Sequence, residues 1–138
     1  MTGGARRDDS APGRWSDLGM ATVDDVRALG SELERSYEVV VRGRLKFRVG
    51  QIVYVAFDLD ERVMGFAFPR EERAALVASE PEKFALPGQS DLRFHWVHAR
   101  LAALAPDEAR ELVVDAWRMV VPQKVSRGYD LAHPEGPG

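Results

Sequence analysis

Apolar and cationic residues alternate along one short run of the chain, from Val41 to Val49. Successive side chains of a strand point to opposite faces, so this alternation predicts a strand with one apolar and one charged face. The cations on the charged face would lie about 6.8 Å apart, twice the rise of roughly 3.4 Å per residue. These cations, called the cation stripe below, are Arg42, Arg44, Lys46 and Arg48.

The rest of the hydrophobic pattern predicts three helices and several further strands. Thr22 is suited to cap a helix, and Asp24 and Asp25 fall in its first turn, where the helix dipole favours acids. Pro106 suits the first position of the last helix, which ends before Pro122. The predicted helices are 23–34, 70–79 and 106–121. The predicted strands are 44–49, 52–57, 63–68 and 94–101, with 37–41 as a candidate short strand.

The main elements follow the order α-β-β-β-α-β-α, which indicates the α+β class. Short connections between the first strands predict an antiparallel meander, and amphipathic helices most simply cover one face of such a sheet. We therefore expect a two-layer domain with helices packed on one face of an antiparallel β-sheet. The Gly-, Pro- and Asp-rich ends predict a disordered leader over 1–20 and a disordered tail over 126–138. The single domain between them is 21–125.

Composition narrows the function classes. The 138 residues include no cysteine, which excludes a disulfide framework, a thiol nucleophile and a thiolate zinc site, and which suits a reducing cytoplasm. No run of about 18 apolar residues is present, so no membrane partner is predicted. The net charge of −3 and the pI near 5.6 weigh against a protein that coats nucleic acid generally. A local basic face on an acidic protein remains compatible with this charge.

No catalytic or metal-binding constellation can be named from the residues. His95 and His98 lie three apart, which on a strand places them on opposite faces, so one metal ion could not bind both. Asp58, Asp60 and Glu61 fall in a hairpin loop that lacks the ligand number and the glycine of a calcium loop. No Gly-rich phosphate loop or nucleophile elbow is present. We therefore predict a non-enzymatic protein without cofactor or metal.

The cation stripe has two interpretations. The first is a solvated strand face that keeps the protein soluble. The second is a surface that contacts phosphates, because the neighbouring strand offers no acid before Asp58 in either register. If the last strand lies near the stripe, His98 and Arg100 would extend it. The candidate nucleic-acid-binding residues are then Arg42, Arg44, Lys46, Arg48, His98 and Arg100.

The segment Gly-Arg-Leu-Lys-Phe-Arg-Val-Gly at 43–50 resembles the Gly-Arg-x-x-Phe-Arg-Val-Gly segment of the MmcQ/YjbR family. Further blocks agree with the family in order and spacing, and together they extend over most of 21–125. They are the helix opening at 22–27, the helix start at 69–73, the segment 80–84, Trp96-Val97, and the blocks 112–117 and 121–124.

The resemblance implies a CyaY-like or "double-wing" α+β fold in a small cytoplasmic bacterial protein. Members of the family are labelled DNA-binding because of that fold, and no catalytic residue set comes with the label. Many relatives carry a lysine in the strand before the second helix, where this chain has 64–67 as Met-Gly-Phe-Ala. Two hypotheses follow: DNA binding through the cation stripe, or a protein-interaction or small-anion-binding domain. The sequence leaves a protein partner and the oligomeric state open.

Overall fold

The computed structural model of the protein describes residues 19–88 and 95–133. Over these residues it confirms the α+β class: four α-helices accompany a six-stranded antiparallel sheet. The helices are α1 (Val23–Gly30), α2 (Arg73–Ser79), α3 (Pro106–Arg118) and α4 (Gln123–Ala132). The strands are β1 (Ser36–Val41), β2 (Arg44–Val49), β3 (Ile52–Phe57), β4 (Val63–Ala67), β5 (Phe84–Ala85) and β6 (Trp96–Arg100).

The strands lie in the order β1-β2-β3-β4-β6-β5, and every neighbouring pair is antiparallel. The first four form a meander with short hairpin connections, as the alternation and turn residues predict. The chain then passes through α2 and β5 before β6 pairs with β4. The candidate strand at 37–41 is therefore an edge strand of the sheet, and β5 forms the other edge.

One face of the sheet is covered by the helices and forms the core. α1 and α3 contact each other, and α3 also contacts β3 and β4. Trp117 of α3 is fully buried, and its indole Nε1 donates a 2.9 Å hydrogen bond to the backbone carbonyl of Glu34. The buried residues that the central strands contribute to this face include Leu45, Phe47, Val55, Phe57, Met64, Phe66, Val97 and Ala99.

Several element boundaries differ from the predicted ones. α1 ends at Gly30 and not at Glu34; turns follow it, and Arg35 with φ 70 leads the chain into β1. Pro69 begins a turn closed by a 3.0 Å hydrogen bond from the Glu72 amide, so α2 begins at Arg73. The short strand β5 at Phe84–Ala85 is not among the predicted elements; residues 89–94 lie outside the described part of the chain.

The prediction of a disordered tail from residue 126 is wrong for its first part, since α4 extends to Ala132. Val125 is buried against the core, and the Tyr129 ring lies 5.4 Å from the Trp117 ring between centroids. Two anchors four residues apart on one helix face are enough to pack α4 on α3. Residues 1–18 of the predicted leader over 1–20, and the last five residues of the chain, lie outside the described residues.

None of the helices in the two described ranges has the length and apolar character needed to cross a membrane.

Candidate nucleic-acid interface

The face of the sheet opposite the helices, called the open face, carries cations of β2. Residues paired in register across antiparallel strands share a face. Lys46 pairs with Ala56 of β3, Ala56 with Gly65 of β4, and Gly65 with His98 of β6. Lys46 and His98 therefore belong to one row that crosses four strands. Because β2 alternates regularly, Arg44 and Arg48 share the face of Lys46.

Arg42 does not lie on β2, and its predicted strand position is wrong. The β1–β2 connection is a two-residue hairpin loop in which Arg42 has φ 55 and Gly43 has φ 80. A tight hairpin of this kind needs positive φ at both central residues, so the pair has left the strand. Arg42 nevertheless lines a surface cavity of about 430 Å³ together with Val41, Arg44 and Lys46. It therefore lies beside the end of the row of β2 cations.

A β-bulge between β2 and β3 affects the surroundings of Arg48. Phe47 pairs with Val55 and Arg48 with Val53, so Tyr54 is the extra residue. Tyr54 and Val55 are both fully buried, which leaves Val53 on the open face beside Arg48. The Nε atom of Arg48 is buried and has no hydrogen-bond partner among the described residues. The bulge therefore places part of a guanidinium in a poorly solvated position.

A shallow cavity of about 400 Å³, called the trough, lies on the open face. Its floor is made by two small residues of the central strands, Ala56 and Gly65. Two β2 cations, Arg44 and Lys46, form one side, and Trp96 and His98 of β6 form the other. The trough thus places cationic and aromatic groups on opposite sides of an uncharged floor.

Gly65 lies directly beneath the two β6 rings. A Cβ atom built at residue 65 would lie 3.3 Å from Cδ2 of His98 and 3.5 Å from Cε3 of Trp96. The first distance is tight for a carbon–carbon contact and the second is an ordinary van der Waals contact, so a side chain at residue 65 would press on the His98 ring. The glycine therefore lets both rings lie close against the centre of the sheet.

Among the described residues, no carboxylate pairs with the cations of the open face. Within residues 19–88 and 95–133, no ion pair within 4.0 Å involves Arg42, Arg44, Lys46 or Arg48. The acid of β1, Glu38, pairs with Phe47 in register and so lies on the helix-covered face. There it binds Arg27 of α1 at 2.9 Å.

Several cations outside the open face, in contrast, have carboxylate partners. Hydrogen bonding to Glu38 raises the pKa of Arg27 above its ordinary value. Lys83 lies 2.8 Å from Glu80 and 3.0 Å from Glu108, and its hydrogen bonds to these two carboxylates raise its pKa. Among the described residues, these carboxylates therefore pair with cations outside the open face. The β2 cations remain available to solvent or to a ligand.

One carboxylate, that of Asp58, lines the end of the trough. Its Oδ1 atom accepts hydrogen bonds from the backbone amides of Arg62 at 2.9 Å and Val63 at 3.1 Å. Asp58 is therefore used to close the β3–β4 hairpin loop. It lowers the local positive potential near Arg44 without forming an ion pair with it.

Arg100 shares a strand with His98 but does not line the trough. It pairs in register with Val63, and its Nη1 donates hydrogen bonds to the backbone carbonyls of Pro81 and Glu82. The guanidinium is thus held against the segment that leads into β5. The structure brings His98 together with the β2 cations and holds Arg100 apart from them.

The sequence analysis did not predict the floor of the trough, nor that Trp96 forms part of one of its sides. Ala56 and Gly65 carry no signal of their own, and only the register shows that they separate Lys46 from His98. Within the described ranges, no group of three or more His, Cys, Asp or Glu side chains is placed to bind a metal ion.

Comparison with known proteins identifies the family. The YjbR family model matches residues 31–119. The chain is similar to the Deinococcus radiodurans protein DR2400, whose crystal structure is described with a DUF419 domain. The identity is 23%, the match covers 82% of this chain and 88% of that chain, and the TM-score is 0.65, so the likeness concerns the fold. The curated proteins give no significant match. Because the family model spans most of the domain, including all of β1 to β6, the chain belongs to the YjbR family.

Proposed function

We propose that this protein binds DNA without catalysing a reaction, and that the β2 cations of the open face contact the phosphates. The observation that supports the proposal is the row of Arg44, Lys46 and Arg48 on one uncovered face without carboxylate partners among the described residues. Phosphate oxygens are the natural counterpart of such a row, because most protein–DNA hydrogen bonds go to the nucleic-acid backbone.

Electrostatics gives a physical reason for this use of the face. Like charges about 6.8 Å apart along one strand repel each other, which opposes folding. A protein with a net charge of −3 has enough acids to relieve that repulsion, yet Glu38 of the neighbouring strand β1 pairs with Arg27 on the helix-covered face. Bound phosphates would relieve it in their place. The overall negative charge would at the same time limit indiscriminate binding to nucleic acid.

His98 and Arg42 are secondary members of the proposed interface. His98 lines the trough opposite Lys46, and Arg42 lies beside Arg44 at the hairpin. We leave Arg100 out of the interface because backbone carbonyls already accept its hydrogen bonds.

The test is the salt dependence of DNA binding. If two or three phosphates are contacted, the slope of log K against log salt should be about −2 to −3, at about −0.9 per phosphate of a duplex. Arg44→Glu and Lys46→Glu should each weaken binding and reduce the magnitude of the slope by about one.

Lys124→Glu is the matched control. Lys124 is an exposed residue of α4, so its reversal changes the net charge equally without touching the open face. Equal losses for Lys124→Glu and Lys46→Glu would mean that net charge alone governs binding. No measurable binding of any DNA at low salt would overturn the proposal.

A second candidate is a small-anion-binding domain, favoured by the size of the trough. Its volume of about 400 Å³ falls within the range of about 300–1,000 Å³ typical of small-molecule sites. A thermal shift with inorganic phosphate or a mononucleotide, abolished by Lys46→Glu and with no response to DNA, would favour this candidate over the first. A protein-interaction role would instead be indicated by a partner that competes for the same face.

A further inference from the structure

The open face of the sheet differs from a simple phosphate-binding surface, because its cations face aromatic groups across the trough. Lys46 and His98 lie in one register row with only Ala56 and Gly65 between them. Three inter-strand spacings of about 4.8 Å separate β2 from β6, which gives about 14 Å between the two strands. A ligand that fills the trough must therefore present an anion at one side and an apolar or aromatic group at the other.

We infer that the ligand of the trough is single-stranded DNA, with phosphates on Arg44 and Lys46 and a base stacked against Trp96. This inference rests on the proposed function and specifies which form of DNA is bound. A nucleotide in an unpaired strand carries its phosphate and its base on opposite sides of the sugar, which matches the two sides of the trough. Base–aromatic stacking on a basic surface is the general mode of binding to single strands.

A duplex fits the same surface less well. Its bases are stacked inside the helix, so a flat sheet face could reach only its phosphates. Trp96 and His98 would then have no partner on the DNA. The described open face also offers no helix that could enter the major groove, since α1 and α3 cover the opposite face.

The choice of DNA over RNA follows from the floor of the trough. Ala56 and Gly65, with Val63 beside them, carry no polar side-chain group that could meet a ribose 2′-hydroxyl. The 2′-hydroxyl is the group by which proteins distinguish RNA from DNA. A deoxyribose suits an apolar floor, whereas the 2′-hydroxyl of a ribose on that floor would have to reach Asp58 or His98 at the edge of the trough for a hydrogen-bond partner.

The geometry also accounts for the position of the two rings. Gly65 allows Trp96 and His98 to lie against the middle of the sheet, where a Cβ atom would be only 3.3 Å from the His98 ring. The rings are thereby held beside the trough before any ligand arrives. Preorganised aromatic groups lose little conformational freedom when a base stacks on them.

The experiment compares three probes on the full chain: an oligothymidylate of about 12 nucleotides, the matching duplex, and an oligouridylate of the same length, within the usual site sizes of single-strand binders. The expected order of affinity places the single-stranded DNA first. Trp96→Leu should weaken its binding by roughly tenfold, because one stacking contact is lost. Trp96→Phe, which keeps an aromatic ring, should retain most of the affinity. Duplex binding should be the same in all three proteins.

Fluorescence gives a second readout that does not depend on affinity. The chain has three tryptophans, and Trp117 is fully buried away from any ligand. Once Trp15 is replaced by Phe, an oligothymidylate should therefore quench the emission of Trp96. The double variant with Trp15→Phe and Trp96→Phe should show no such quenching. Thermal unfolding of each variant shows whether it is folded before its binding is compared.

The outcomes separate this inference from the proposed function. Binding of duplex as tightly as of single strand, with both weakened by Lys46→Glu, would overturn the inference and leave the proposed function intact. Tighter binding of the oligouridylate would overturn the assignment of DNA. The absence of binding to all three probes would overturn both.

Discussion

Gly65 lies directly opposite His98 in the β4–β6 pair, and a Cβ atom at this position would lie 3.3 Å from the His98 ring and 3.5 Å from the Trp96 ring. This relationship links the backbone of a central strand to the shape of the trough. A glycine in a strand interior weakens the strand, because it has no side chain to pack and loses more freedom on folding. Its presence at this position is explained by the close approach of the rings.

The first prediction concerns Gly65→Ala. The new methyl group lies 3.3 Å from a half-buried His98 ring that can shift, so the tight contact destabilises the folded state only slightly. The lower conformational entropy of the unfolded chain with alanine stabilises the protein by a similar amount, and the two effects should nearly cancel. We expect the free energy of unfolding to change by less than about 1 kcal/mol. Displacement of the rings should lower affinity for single-stranded DNA about fivefold, the equivalent of about 1 kcal/mol of lost stacking.

Urea denaturation and binding titrations measure the two effects of Gly65→Ala separately. Gly128→Ala is the control, because a Cβ at this exposed α4 residue would meet nothing within 4 Å. A Gly65→Ala protein with unchanged affinity would show that the rings do not contact the ligand.

The second prediction concerns Arg48, whose Nε atom is buried without a hydrogen-bond partner among the described residues. An unsatisfied buried donor costs about 1–3 kcal/mol. Arg48→Met keeps the aliphatic stem and removes the donor, so it should stabilise the protein by about 1 kcal/mol. The same change removes one of the cations proposed to contact phosphates and should therefore weaken DNA binding. Residues at functional sites commonly lower the stability of the protein while they serve its function.

Arg44→Met is the comparison for Arg48→Met. Arg44 is exposed at the start of β2, so its replacement should alter stability by no more than about 0.5 kcal/mol while also weakening DNA binding. If urea denaturation gives Arg48→Met a lower stability than the wild-type protein, Arg48 is held by interactions that outweigh its unpaired Nε.

The sequence predicts the meander well because its signals are local. Alternation from Val41 to Val49, with a glycine in the turn on either side of β2, specifies β2 and the strands beside it, and Pro106 with two acids specifies α3. Local patterns of this kind need no knowledge of distant residues. The placement of Arg44, Lys46 and Arg48 on one face follows from the same alternation.

The trough could not be predicted, because it depends on contacts between distant segments. The bulge at Tyr54 sets which β3 residue lies opposite Lys46, and a one-residue slip would exchange the two faces of β3. The position of His98 depends on β6 pairing with β4 after about thirty intervening residues. α4 was missed because its two core anchors, Val125 and Tyr129, lie among polar residues and glycine.

The third prediction concerns pH and Tyr54. Burial raises the pKa of the Tyr54 phenol to about 12, and the Ser36 hydroxyl, which lies 2.6 Å from the phenol oxygen, offsets the effect in part. The unfolded chain loses this proton near pH 10 whereas the folded chain retains it, so the unfolded state binds fewer protons between these values. Stability should therefore fall by about 1.4 kcal/mol per pH unit from about pH 10 to about pH 12.

Tyr54→Phe isolates this contribution, because it removes the ionisable group and keeps the ring. The difference in unfolding free energy between wild type and Tyr54→Phe should be constant below about pH 9 and should shift in favour of Tyr54→Phe above about pH 10. Tyr37→Phe is the control, since Tyr37 is exposed on the edge strand β1. A difference between wild type and Tyr54→Phe that does not change with pH would mean that Tyr54 ionises freely in the folded protein.

The last prediction concerns α4 and Tyr129. The Tyr129 ring contacts Trp117 edge-on at 5.4 Å, and the Arg118 guanidinium carbon lies 5.9 Å from the centre of the same ring. Because aromatic pairs contribute about 0.5–1.5 kcal/mol beyond the area they bury, Tyr129→Ala should lower stability by about 1–2 kcal/mol. Tyr129→Phe keeps the ring and should stay within about 0.5 kcal/mol of wild type in urea denaturation. If Tyr129→Ala leaves the free energy of unfolding unchanged, the segment behaves as a disordered tail and α4 is not part of the folded unit.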